Sequence, residues 1–258
     1  MDLELNDTVT LITGGTDGLG LALAERLVAE GGAVAICGRD EDRLASAAAK
    51  LEAAGGDVLA ARADVEVAAD IESFVAAAAS RWGRIDAVVH NAGRSAASRL
   101  EDTDDAHWHD DFELKVMGAV RLTRSALPYL RQRGGAALFT LAMAAKAPGA
   151  GSGPSSVSRA AGMALMKALS KELAPDGIRV NAILIGLVES GQWVKAAAAA
   201  GDELSDFYAR LAQGAAIPLG RVGRSAEFAD LGAYLLSARA SYVTGTAINL
   251  DGGLSPAV

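Results

Sequence analysis

Short apolar runs alternate with segments of helical period along nearly all of this 258-residue chain, and no other feature restricts its fold as much. Strand-like runs are expected at about 8–13, 33–37, 57–63, 86–90, 136–141, 178–184 and 246–250. Helical patterns are expected between them, at about 18–31, 41–54, 67–82, 104–133, 154–174, 202–213 and 225–237. Repeated strand–helix–strand units predict a parallel sheet with helices on both faces. The runs are continuous rather than alternating, as in Val9 to Ile12 and Ala33 to Cys37, which fits strands buried on both sides. The helical patterns end at Gly31-Gly32, Gly55-Gly56 and Gly83, where left-handed backbone closes a helix cheaply. The reading is therefore one doubly wound α/β domain, 1–258, with a seven-stranded parallel sheet. Residues 186–224 break the alternation and are expected to cover a substrate site.

Composition narrows the function. Hydrophobic residues make up 51%, enough for one large core, and the formal net charge of −8 offers no basic footprint for nucleic acid. No run of about 18 apolar residues occurs, and Met1-Asp2-Leu3-Glu4 does not begin like a secretory signal, so a cytoplasmic protein off the membrane is expected. The one cysteine, Cys37, lies in a strand-like run and is expected to be a packed thiol. The acidic residues Glu101 to Asp105, with Asp110 and Asp111, flank a helix start and lack a His or Cys partner at ligand spacing, so no metal site is expected.

The first strand runs into Thr13-Gly14-Gly15-Thr16-Asp17-Gly18-Leu19-Gly20, a glycine-rich turn that opens a helix. Such a turn lets backbone N–H groups and a helix N-terminus approach a pyrophosphate. The second strand ends Gly38-Arg39-Asp40, with no carboxylate at its tip to hold ribose hydroxyls and with a guanidinium suited to a phosphate. That favours NADP(H) over NAD(H); the plainer alternative is that Arg39 pairs with Asp40 or Glu41. Asn91-Ala92-Gly93 closes the fourth strand, and Ile178-Arg179-Val180-Asn181 follows Gly177.

Together these stretches resemble the short-chain dehydrogenase/reductase family almost from end to end. The resemblance implies a Rossmann-type fold, a nicotinamide cofactor, a small-molecule carbonyl or alcohol substrate, and a homo-oligomer (tetramer or dimer) built through helices 104–133 and 154–174 and the last strand. It implies a cofactor site formed by Gly14, Thr16, Asp17, Gly18, Leu19 and Gly20, with Arg39, Asp64 and Val65 toward the adenosine. Asn91, Ala92 and Gly93 would abut the cofactor, and Gly186, Val188 and Ser190 would meet the nicotinamide carboxamide. His90, where the family often has Asn, is expected to be structural.

The family's acid–base residues are missing at the matching positions. Aligned by the same resemblance, its Ser, Tyr, Lys and Asn positions fall on Ala142, Ser155, Arg159 and Lys115. No tyrosine lies close enough for a shift of register to restore the usual donor. Among the four tyrosines, only Tyr208, in the 186–224 segment, is a candidate to fold over the pocket. Arg159 suits ribose or an anion but is a poor proton donor, and Ser155 has no base near it in sequence. Lys115 is the candidate replacement: facing the cofactor beside Arg159, its pKa would fall into a useful range. Its alternative is an ion pair with Asp111, four residues earlier. Lys146, Ser152, Ser156, Glu189, Gln192 and Trp193 are lesser candidates for substrate contact. Three readings follow: an NADP(H)-dependent oxidoreductase with a non-standard active site; a non-redox isomerase, dehydratase or lyase on the same scaffold; and a non-catalytic NADP(H)-binding sensor or partner subunit.

Overall fold

A computed structural model describes residues 1–258. Seven strands, β1 (Val9–Thr13), β2 (Ala33–Gly38), β3 (Val58–Arg62), β4 (Ala87–His90), β5 (Gly135–Ala142), β6 (Ile178–Ile185) and β7 (Ala247–Leu250), form one sheet in the order β3-β2-β1-β4-β5-β6-β7. Every pairing is parallel.

Both faces are covered, which is why the strands carry unbroken apolar runs. On one face Leu11, Val88, Phe139 and Leu141 pack with Phe74 of α3 (Ala68–Trp82), Leu122 of α5 (Gly118–Leu130) and Met166 of α6 (Ser155–Glu172). On the other, Ile12, Ile36, Val89 and Leu138 pack with Leu23 and Leu27 of α1 (Gly18–Ala29), Leu51 of α2 (Glu41–Ala53) and Phe228 of α9 (Ser225–Leu236). β3 lies at the sheet edge, and there alone the burial alternates clearly along the strand. Cys37 is buried, and burial pushes its thiol up to about 12, as a packed cysteine requires.

Two regions depart from expectation. The helix expected over 104–133 divides into α4 (Asp105–Phe112), a π-helical turn at Glu113–Met117, and α5, so an extra residue enters the helix where Lys115 sits. In the segment that breaks the alternation, Gly191–Ala200 forms a helix that was not among those expected, α7, ahead of α8 (Leu204–Gly214). The Ala196 to Ala200 run is thus helix, closed by Gly201 in the left-handed region.

No helix is long and apolar enough to cross a membrane. Chain connections leave β1 and β4 toward opposite ends of the sheet, so a crevice opens at their C-terminal ends, where ligands of such sheets bind.

Candidate active site

The glycine-rich turn ends β1 at that crevice. Gly14 and Gly18 have φ of 65° and 54°, left-handed backbone that lets the chain turn directly into α1. Gly14 and Gly15 both donate to the Cys37 carbonyl, at 3.0 and 3.3 Å, tying the turn to β2. Asn91 holds it from the other side, its Nδ2 donating to the carbonyls of Thr13 (3.1 Å) and Gly14 (3.0 Å). A side chain at Gly20 would overlap both the Gly14 carbonyl oxygen and Asn91 Nδ2. Asp17 caps α1 through Gly18 N–H (2.7 Å), while the N–H groups of Leu19 and Gly20 have no carbonyl to bond. This helix start is built to receive an anion.

Two adjoining clefts meet at the turn. One, about 770 Å³, runs over the ends of β2 and β3 and is lined by Gly14, Thr16, Gly38, Arg39, Asp64 and Val65. Arg39 is 58% exposed; its Nη1 lies 3.6 Å from Asp64 and 3.9 Å from Glu66, so its partners are across on β3's loop rather than Asp40 or Glu41. Arg43, which sequence reasoning passed over, also lines this cleft and ion-pairs with Asp17 at 2.6 Å. Its position three residues past the α2 cap at Asp40 was the signal available.

The second cleft, about 480 Å³, reaches from the turn to the ends of β5 and β6. Asn91, Ala92, Gly93, Gly186, Val188 and Ser190 line it, as do Ala142, Ser155, Arg159, Gln192 and Trp193. The four expected catalytic positions divide in kind. Ala142 offers no functional group. Arg159 lies under the cleft floor: its Nη1 donates to the Thr140 carbonyl, and Gly93 leaves it room, since a Cβ there would come within 2.9 Å of its Nη2. Burial lowers its pKa to about 10, so it stays a cation at neutral pH.

Lys115 and Ser155 come together although 40 residues apart. Lys115 Nζ donates to Ser155 Oγ at 2.8 Å and also to Asp111 Oδ1. The ion pair with Asp111 is formed, and the Lys115 side chain, 2% exposed, lies beneath the cleft rather than in its lining. Burial, and next the charge of Arg159, lower its pKa to about 8, against an upward pull from Asp111. Ser155 Oγ also accepts from Ala96 N–H at 3.3 Å. With two donors on its oxygen, the hydroxyl has its own hydrogen left to donate. The ionisable partner that Ser155 lacks nearby in sequence comes from the π turn.

Several expected residues lie elsewhere. Tyr208 does not reach this cleft; it lines a separate one with Leu21, Glu25 and Glu189, and its phenol is pushed up by burial and then by Glu189. Glu189 faces that same outer cleft and accepts from Ser225 N–H at 3.3 Å. Lys146 donates to the Ala247 carbonyl (2.9 Å) and Asn249 Oδ1 (3.2 Å), bracing β7. Ser152 and Ser156 bond each other at 3.1 Å outside the pocket. Asp111 and Ser158 sit at the centre of the site instead, both 2% exposed. Asp111, read in the sequence as one of the acidic residues around a helix start, is buried beside Lys115, and its spacing of four residues was the available sign of that pairing.

Comparison with known proteins agrees with this architecture. Residues 14–255 match the family model described as enoyl-(acyl carrier protein) reductase. Dehydrogenase/reductase SDR family member 4 of Oryctolagus cuniculus is 33% identical over 251 residues, covering 96% of this chain and 94% of that protein. An NADPH-bound short-chain oxidoreductase from Pseudomonas aeruginosa, described as containing an atypical catalytic centre, superposes with a TM-score of 0.93 at 36% identity, over 98% of this chain and 100% of that one. L-Sorbose reductase from Gluconobacter frateurii, solved with NADPH and L-sorbose, gives 0.95 at 33% identity over all of both chains. The chain belongs to the short-chain dehydrogenase/reductase family and is an oxidoreductase of that type.

Proposed function

We propose that this protein is an NADP(H)-dependent reductase of a small carbonyl compound in which Lys115, acting through Ser155, replaces the family's tyrosine as proton donor. The carrying observation is the 2.8 Å bond from the buried Lys115 ammonium to Ser155 Oγ at the cleft. The cofactor reading rests on the crevice: free amides at the start of α1 suit the pyrophosphate, and Arg39 with Arg43 suits a 2′-phosphate. Both the Pseudomonas aeruginosa oxidoreductase and L-sorbose reductase are described with NADPH. When bound, the nicotinamide supplies the hydride.

The chain's own residues do the rest. Ser155 donates its hydroxyl hydrogen to the substrate carbonyl oxygen as negative charge builds there. Lys115 refills that hydroxyl from its ammonium, whose pKa of about 8 is close enough to neutral for efficient transfer. Arg159 stays charged and would hold the nicotinamide ribose, as the family's Lys would, but does not give up a proton. Gln192 and Trp193 close the substrate side. In the cell the protein acts as a homo-oligomer in the cytoplasm.

Fluorescence titrations with NADPH and NADH, followed by screening carbonyl substrates by NADPH absorbance, test this. Wild type should prefer NADPH, and Arg39→Ala should weaken NADPH about tenfold or more while sparing NADH. Lys115→Ala should cut hydride transfer on the order of 10²–10⁴-fold with NADPH binding retained. Equal losses for both nucleotides would overturn the phosphate assignment, and unchanged turnover would remove Lys115 from the reaction.

A further inference from the structure

Lys115 is held by a side chain on another turn of its own helix and by a bridge to α6. Asp111 is in the last turn of α4, and Lys115 follows in the π turn. One carboxylate oxygen, Oδ1, takes the Lys115 ammonium. The other, Oδ2, accepts from Ser158 Oγ at 2.5 Å, and Ser158 Oγ also lies 3.0 Å from the backbone carbonyl of Ser155. Ser158 therefore fixes Asp111 to the same first turn of α6 that carries Ser155. All three of Asp111, Ser158 and the Lys115 side chain are about 2% exposed, so these bonds are shielded from bulk solvent.

The charges around Lys115 explain what this is for. Arg159 on α6 and Arg94 after β4 both act to drive its proton off, and burial drives the same way. His90 of β4, which shares a small cavity with Lys115, is neutral and compensates nothing. Asp111 is the one carboxylate paired with Lys115. A four-carbon stem with a buried, unpaired ammonium would lose its proton or swing away from Ser155.

We infer that Asp111, locked in place by Ser158, is a positioning residue that holds the Lys115 ammonium on Ser155 and keeps it protonated for the reaction. The inference rests on the assignment of Lys115 as donor, but its test does not need turnover. The chain has six lysines, so protein labelled with ¹³C at lysine Cε gives few signals, and the one absent from Lys115→Ala identifies Lys115. Its titration is followed in wild type, Asp111→Asn and Ser158→Ala, with circular dichroism to confirm folding.

Asn keeps an acceptor for Ser158 but removes the charge. Asp111→Asn should lower the Lys115 midpoint by about one unit or more, the size of a close opposite charge. Ser158→Ala, a milder change, should lower it in the same direction by less, and it decides the matter if Asp111→Asn does not fold. A Lys115 midpoint that stays at the wild-type value in a folded variant would overturn the inference. In reduction assays the alkaline fall in rate should move to lower pH in Asp111→Asn by the same amount. If the midpoint moves but Lys115→Ala reduces substrate normally, the positioning stands and the donor assignment falls.

Discussion

His90 ends β4 with its ring 4.3 Å from that of Phe139 and its Nε2 3.0 Å from Thr123 Oγ1. Its Nδ1 is buried without a partner, so a second proton would place an unsolvated charge in the core. Burial accordingly lowers its pKa from 6.5 to about 3. Between those values the unfolded chain binds a proton that the folded chain refuses, so stability rises with pH across that window and is lost as pH falls. At pH 5 this single histidine costs about 2 kcal/mol relative to neutral pH. Urea unfolding at pH 7.5 and pH 5 should therefore show a larger acid loss in wild type than in His90→Asn, by about that amount. Equal losses would mean that the ring titrates freely in the folded protein. The structural role expected for His90 was legible because it closes an apolar strand. Its lack of a second partner was not, since that depends on Thr123 and Phe139, which are brought in by α5 and β5.

At the scale of elements, α1 and its turn were almost fully readable, because their geometry is local. Gly14, Gly18 and Gly20 each answer a need visible within eight residues: left-handed backbone at the first two and close approach at the third. Gly20→Ala tests that last need. The added methyl has nowhere to go between the Gly14 carbonyl and Asn91, both fixed by the sheet, so it should cost about 1–3 kcal/mol as overpacking. Because relief must move the turn itself, nucleotide binding should fall with it. A variant with wild-type melting and wild-type NADPH affinity would show that the turn is not held as described. The helix at 104–133 illustrates the opposite case. Phe112 to Met117 are all acceptable helix residues, and nothing in their types marks where an extra residue enters. The π turn follows from what α4 and α6 must share, the Asp111 bridge to Ser158 and Lys115's reach to Ser155, and these partners are 47 and 40 residues away. Tyr208 failed for a related reason. It was chosen as the one tyrosine in the segment that breaks the alternation, but α8 carries the phenol to the outer cleft.

The whole molecule places its polar chemistry along one edge, where β1, β4, β5 and β6 end, and leaves apolar groups on another part of the surface. β7 is the last strand of the sheet, only four residues long, and each of its residues is half-buried, whereas β5 and β6 are buried almost throughout. A short edge strand of this kind leaves main-chain groups and one side of its apolar residues open to a neighbour. On the helices, Phe112 of α4 and Val157 of α6 are 42% and 51% exposed, each adjacent in sequence to a residue of the buried Asp111–Ser158 bridge. Covering such groups in an assembly would remove them from water and would press α4 against α6 where Lys115 is held. The oligomer expected through these helices and the last strand would in this way also stabilise the active site. Light scattering should give a multiple of the single-chain mass for wild type. Val157→Glu, which adds a charge to an exposed position without touching the bridge, should shift the population toward smaller species. Its activity should fall with dilution more steeply than that of wild type, because the separated chains lose support for α6. A wild-type protein that is monomeric at all concentrations would assign these apolar groups no role in assembly and leave the α4–α6 junction to be held by Asp111 and Ser158 alone.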